Sequence, residues 1–328
     1  MGGKVRYSPR DTMQTSQTAW LFPGQGSQSV GMGKDVLDAS PAAREVLARA
    51  DRALGEPLSK LILEGPEEAL TLTANAQPAI VTISCAILAA IKERVPDLGP
   101  PAFAAGHSLG EYSALVAAGA LSLEDAVRLV RARGRSMQDA VPPGEGAMAA
   151  IMGVDATKLE AIGERAQEGT EVVSCANFNA PGQIVIAGSA PAVARASEMA
   201  SAEKGKAIPL KVSAPFHCAL MQPAATLLAS ELAKVTVAPL AFPIIANIDA
   251  QPNQDPARVK DLLVRQVTGS VRWEQALVMM KERGVTRALE IGPGKVLAGL
   301  AKRCAKEIKV LSVFDAAALD SVASFLAS

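Results

Sequence analysis

AAGHSLGEYSAL, residues 104–115, contains GHSLG, a G-x-S-x-G pentapeptide that sets Ser108 between Gly106 and Gly110. The preceding PAFAA (101–105) has the composition of a buried strand, and the residues from about Leu109 to Ala118 read as a helix. Strand, glycine-flanked serine, helix is the setting of a nucleophile elbow, where a sharp turn presents the hydroxyl at the end of a sheet. A serine hydroxyl attacks poorly unless a neighbouring base takes its proton. This chain has only two histidines to offer.

Working outward, TAWLF (18–22) reads as a strand followed by the glycine-rich turn GQGSQSVGMG. Strands alternating with helices predict an α/β fold with a mainly parallel sheet. At VPPGEG (141–146) the pattern changes. AMAAIMG, EVVSCAN, QIVIAG and KAIPLKVS read as strands, with helices over DATKLEAIGERAQ and APAVARASEMASAEKG. The order β-α-β-β-α-β is that of a ferredoxin-like split βαβ unit. The expected organisation is a large domain over 18–141 and 214–328, a small inserted domain over 142–213, and a mobile extension over 1–17.

Composition limits the functions available. Lys plus Arg number 33 and Asp plus Glu 33, so no basic excess exists to neutralise nucleic-acid phosphates. The four cysteines, Cys85, Cys175, Cys218 and Cys304, are scattered. With two histidines they predict neither a metal site nor a disulfide framework, and reduced thiols in the cytoplasm. PAIVTISCAILAAI (78–91) is too short to span a bilayer and reads as a buried core helix. The N-terminal residues contain no apolar run, so no signal peptide is expected. Neither GQGSQSVGMG nor GPGK (292–295) has the glycine spacing of a nucleotide-binding loop.

LEDAVRLVRARGRSMQDAV (123–141) reads as a helix that stops at Pro142. At about 100° per residue, Ala126, Leu129, Val130, Met137, Ala140 and Val141 form an apolar stripe. Glu124, Arg128, Arg131, Arg135 and Asp139 fall opposite, as a solvated stripe. Arg133 lands inside the apolar stripe, where a guanidinium needs a negative partner. That partner is an internal carboxylate or a substrate's, unless the side chain snorkels to the surface.

His107 adjoins Ser108 and points elsewhere on a sharp turn. His217, in LKVSAPFHCALM, is then the base by elimination. No acid in 109–216 announces itself as the group that orients the imidazole. The helix in DPARVKDLLVRQVTG (255–269) ends near Gly269, and its last carbonyls lack intrahelical partners. The carbonyl of Gln266 suits the Nδ1 proton of His217, and the negative helix end favours an imidazolium.

FPGQGSQSVGMG, GHSLGEYSAL, VRARGRSMQ, SCANFNAPGQIVIAG, VSAPFHCALM, LVRQVTGSVRW and EIGPGKVLAGL, in this order, are together similar to the malonyl-CoA:acyl carrier protein transacylase family. The resemblance spans 18 to about 302. It implies an α/β-hydrolase-like large domain with a ferredoxin-like insert. Ser108 matches the acylated serine, His217 the general base, and Arg133 the arginine that holds the malonyl carboxylate. Gln25 and Leu109 match the oxyanion-hole N–H donors, and Gln266 the histidine-orienting carbonyl. Met137 and Phe216 are expected to line the substrate site, Phe216 in the malonyl-preferring pattern. Ser270 departs from the family, which commonly has proline there, and is expected to loosen the following loop slightly.

The resemblance implies ping-pong transfer of malonyl from malonyl-CoA to an acyl carrier protein, supplying fatty-acid synthesis. It implies no metal and no cofactor beyond the phosphopantetheine that the carrier brings, and a cytoplasmic monomer with no nucleic-acid or membrane partner. Carrier proteins are acidic, so Lys211, Arg272 and Lys295 are candidate docking charges. The alternatives are a serine thioesterase or esterase, or an acyltransferase of a polyketide pathway.

Overall fold

The computed structural model describes residues 17–328, so the expected extension lies, but for Gln17, outside the described residues. Among the described residues ten strands form two sheets: β1 (Thr18–Phe22), β2 (Phe103–Gly106), β3 (Gly146–Met152), β4 (Val173–Ala180), β5 (Gln183–Ser189), β6 (Lys206–Pro209), β7 (Ile244–Ile245), β8 (Pro252–Asn253), β9 (Arg287–Ile291) and β10 (Lys309–Val313). The larger sheet runs β10-β9-β1-β2-β7-β8. All its pairs are parallel except β7 with β8. All five residues of TAWLF are buried, as a central strand covered on both faces requires, and this is why they read as an unbroken apolar run.

The apolar run read as a short helix is the middle of a longer one, Thr73–Arg94. Among the described residues it is the one helix long and apolar enough to cross a bilayer, and 83% of its apolar window is buried inside the fold. Pro78 lies within it. Proline has no N–H to give the carbonyl four residues back, and that carbonyl, of Ala74, accepts instead from Arg131 Nη1 at 2.9 Å. Arg131 also meets Glu56 and Asn75 and is 7% exposed. Its expected place on the solvated stripe is therefore wrong. The helical period had no way to register a carbonyl orphaned on a neighbouring helix.

The smaller sheet runs β4-β5-β3-β6 and is antiparallel throughout. Helices Ala156–Ala166 and Ala190–Ala202 pack on it around Ile151, Leu159, Ile162, Phe178, Ile186 and Val193, a core separate from that of the larger sheet. Several bounds differ from expectation, and two of the shifts have a visible cause. β6 stops at Pro209 rather than Ser213, because its last bond to β3, Leu210 N–H to Met148 O at 2.9 Å, gives way to a turn in which Val212 N–H donates to Leu210 O. β4 runs on to Ala180, bending at two register shifts.

The sheets are stitched together at Ser270 and Val271. Val271 N–H donates to Ala176 O and Phe178 N–H to Val271 O, each at 2.9 Å. The Ser270 hydroxyl donates to Cys175 O at 2.6 Å. Serine thus ties this loop to β4, the opposite of the loosening expected from the missing proline.

Candidate active site

The turn between β2 and the helix Gly110–Ala117 explains its own glycines. A Cβ on Gly106 would lie 1.8 Å from the Gly110 carbonyl carbon, and one on Gly110 would lie 2.3 Å from Phe22 O. Neither position admits a side chain, so strand and helix close to near contact and Ser108 is forced to φ 51°. Such a left-handed conformation is unfavourable for serine and persists only where surrounding bonds hold it. Here Asn247 holds it: its Oδ1 accepts from Ser108 N–H, and its Nδ2 donates to Gly106 O, both at 2.7 Å.

His217 Nε2 lies 2.7 Å from Ser108 Oγ, and Nδ1 lies 2.9 Å from Gln266 O. A carbonyl only accepts, so Nδ1 carries the proton and Nε2 presents its lone pair to the hydroxyl. The helix Pro256–Thr268 delivers that carbonyl from its last turn. His217 too has positive φ, 61°, and is 4% exposed. Burial, reinforced by the charge of Arg133, lowers its pKa to about 3. His107 points away, its Nε2 2.9 Å from Asn179 Oδ1 and its ring tilted against Trp273.

Arg133 is 1% exposed, on the helix Leu123–Asp139. Nη1 donates to Gln77 Oε1 at 2.8 Å, and Nη2 donates to Gln266 Oε1 at 2.9 Å and Ser108 Oγ at 3.1 Å. Among the described residues no carboxylate pairs with it. Snorkelling and an internal ion pair are both absent, and the guanidinium sits buried beside the nucleophile against neutral oxygens alone. Met137, 1% exposed, accepts from Gln77 Nε2 through Sδ at 3.9 Å and so steadies the glutamine facing Arg133. Phe216 is buried immediately before His217.

Among the described residues the backbone N–H groups of Gln25 and Leu109 meet no acceptor, while the Gln25 side chain bonds Thr73 Oγ1 at 3.1 Å. Of the three surface cations considered for docking, Lys211 and Lys295 are exposed. Arg272 instead packs over Phe178 and donates to Ile248 O at 3.2 Å.

Residues 19–321 match the acyl transferase domain family. The chain is 49% identical to the malonyl CoA-acyl carrier protein transacylase of Bacillus subtilis, over 92% of this chain and 94% of that one. It is 48% identical to the enzyme of that name from Escherichia coli K12, over 88% and 93%. The chain belongs to the malonyl-CoA:acyl carrier protein transacylase family. Among solved structures, an acyl carrier protein S-malonyltransferase from Vibrio cholerae superposes with a TM-score of 0.90 at 44% identity, covering 93% of this chain and 99% of that one. A malonyl-transacylase in complex with a type II polyketide acyl carrier protein superposes equally well, at 0.90 and 43% identity, over 93% and 98%.

Within this transacylase fold, sequence reading passed over three side chains that hold the site together. Gln77 and Asn247 carry no motif of their own. Each announces itself only through the buried group it satisfies. Glu111 stands in the opening stretch, among the acids of 109–216 of which none was expected to orient His217. It is 3% exposed, yet it meets Gln266 Nε2 at 2.8 Å and Asn247 N–H at 3.0 Å rather than the imidazole. Burial pushes its pKa up to about 7. Replacing Asn247 by alanine is expected to leave Gly106 O and Ser108 N–H unpaired. That costs about 1–3 kcal/mol in urea unfolding, with a matching drop in serine acylation.

Proposed function

We propose that this chain moves a malonyl group from malonyl-CoA to the phosphopantetheine thiol of an acyl carrier protein, through a malonyl ester on Ser108, and so supplies fatty-acid synthesis. The observation that carries this reading is the buried guanidinium beside the nucleophile, with no carboxylate paired to it among the described residues. Nη1 and Nη2 bear four N–H bonds between them. Gln77 and Gln266 take one each; the second on Nη2 donates to Ser108 Oγ at 3.1 Å, and the second on Nη1 meets no acceptor among the described residues. Two oxygens of a carboxylate one methylene beyond the acyl carbon fit that pair.

In the forward half-reaction, His217 Nε2 takes the Ser108 proton as Oγ attacks the thioester carbonyl. The oxyanion accepts from the N–H groups of Gln25 and Leu109, which are otherwise unused. The C–S bond breaks, and the proton passes from Nε2 to the sulfur of coenzyme A. In the second half, Nε2 takes the carrier thiol's proton, the thiolate attacks the ester, and the proton returns to Ser108. Met137 and Phe216 wall the acyl site. In this reading the small sheet is a ferredoxin-like insert over 142–213 in an α/β-hydrolase-like domain of 18–141 and 214–328. The enzyme is a cytoplasmic monomer with no cofactor of its own.

The test is incubation with malonyl-CoA, with and without a phosphopantetheinylated carrier protein. The expected result is a persistent malonyl-enzyme alone and malonyl-carrier when the carrier is added. Rapid release of free malonate would overturn this reading in favour of a hydrolase.

The lowered pKa of His217 has a stability consequence of definite sign. The unfolded chain binds a proton to this histidine below about 6.5, whereas the folded one does not until about 3. Acidification through that window therefore favours unfolding, by about 1.4 kcal/mol per pH unit for one proton. His217→Gln is expected to reduce the slope of unfolding free energy against pH by about that amount between pH 6 and 4. An unchanged slope would mean that the folded histidine already titrates normally.

A further inference from the structure

Glu111 is a fully enclosed carboxyl with no cation paired to it among the described residues, and the acyl-transfer steps do not use it. Its surroundings form a short relay. Glu111 Oε2 accepts from Gln266 Nε2 at 2.8 Å, and Gln266 Oε1 accepts from Arg133 Nη2 at 2.9 Å. The same Nε2 also donates to Ser108 O at 3.1 Å. Asn247 N–H fixes Glu111 from the other side at 3.0 Å.

A primary amide can sit in either of two orientations, and only one of them serves Arg133. Turned over, Gln266 would set its NH2 against the guanidinium, donor against donor. Glu111 Oε2 accepts from both Asn247 N–H and Gln266 Nε2, so it stands behind Gln266 as an acceptor and the Gln266 oxygen must face Arg133. Gln266 thus has two tasks: its main-chain carbonyl orients His217 and its side chain brackets Arg133.

We propose that Glu111 is a positioning residue for acyl selectivity: it fixes the Gln266 amide and, through it, aims the Arg133 guanidinium at the carboxylate of the acyl group. This rests on Arg133 being the malonyl-binding group. Glu111 touches neither substrate nor the reacting atoms, and its influence reaches the acyl site only along this line.

The experiment compares kcat/KM for malonyl-CoA and acetyl-CoA in Glu111→Met, Glu111→Gln, Arg133→Ala and the Glu111→Met/Arg133→Ala double variant. Glu111→Met, which removes the acceptor at similar length, is expected to lower the malonyl-to-acetyl ratio on the order of tenfold. Glu111→Gln keeps an oxygen where Asn247 and Gln266 donate, and is expected to recover most of the ratio. In the Arg133→Ala background Glu111→Met is expected to move the ratio no further.

If Arg133→Ala itself leaves the ratio unchanged, the malonyl-binding role of Arg133 fails. If Arg133→Ala collapses the ratio while Glu111→Met depresses both substrates equally, the role of Glu111 alone is overturned. Should Glu111→Met not fold, Gln266→Met removes the same carboxamide while keeping the main-chain carbonyl. An unchanged ratio in that variant would overturn the proposal as well.

Discussion

Ser108→Ala is expected to abolish formation of the malonyl-enzyme and to lower transfer to the carrier by roughly 10⁶-fold, the scale seen when a serine hydrolase loses its nucleophile. The size of the effect follows from covalent logic. Without Oγ there is no ester to divide the reaction into two steps, and His217 Nε2 has no hydroxyl to deprotonate. The substitution removes one oxygen at a site held mainly by backbone bonds. Asn247 still binds residue 108 through its N–H, and Gly106 and Gly110 still close the turn. Folding is therefore expected to survive. The measurement is intact-protein mass after incubation with malonyl-CoA. A malonyl adduct persisting on the alanine variant would place the nucleophile elsewhere.

Arg133→Ala is expected to invert selectivity rather than merely to slow the enzyme. Each hydrogen bond from a charged donor contributes about 1.5–3 kcal/mol, so losing those to the malonyl carboxylate lowers malonyl kcat/KM by about 10- to 150-fold per bond. Acetyl transfer should hold or rise. In the native enzyme a bound acetyl group faces a guanidinium that is 1% exposed and bonded only to neutral oxygens. Removing that desolvated charge removes the penalty. Competition between malonyl- and acetyl-CoA for one pool of enzyme reads the ratio directly. Equal losses for both acyl groups would make Arg133 a packing element.

What the sequence disclosed were features whose cause is local. G-x-S-x-G is a steric statement about two close approaches, so the elbow was legible from five letters. Arg133 stood out because a helix of fixed period leaves an apolar stripe nowhere to hide a charge. The Gln266 carbonyl could be foreseen because every helix leaves its last acceptors unpaired. What escaped was set by groups far apart in the chain. Arg131 has the spacing of a surface residue and is buried because Pro78, 53 positions earlier in the sequence, orphans a carbonyl. Glu111, Asn247 and Gln77 are ordinary polar letters whose meaning depends on who faces them. Ser270 looked like a lost proline and is instead a donor to a strand 95 residues away. Boundaries slipped for the same reason: β6 ends where its last bond to β3 gives way to a turn, and β4 continues because Val271 pairs with it.

The two threads joining the sheets leave the histidine-bearing site little independence. Gln266, which steers the imidazole, stands five residues before Val271, which is laced into β4. A pull on the small sheet would therefore reach both halves of the dyad, His217 through Gln266 and Ser108 through its neighbour His107, which lies 2.9 Å from Asn179 of β4. Base and nucleophile thus hang from one strand, which keeps them in step.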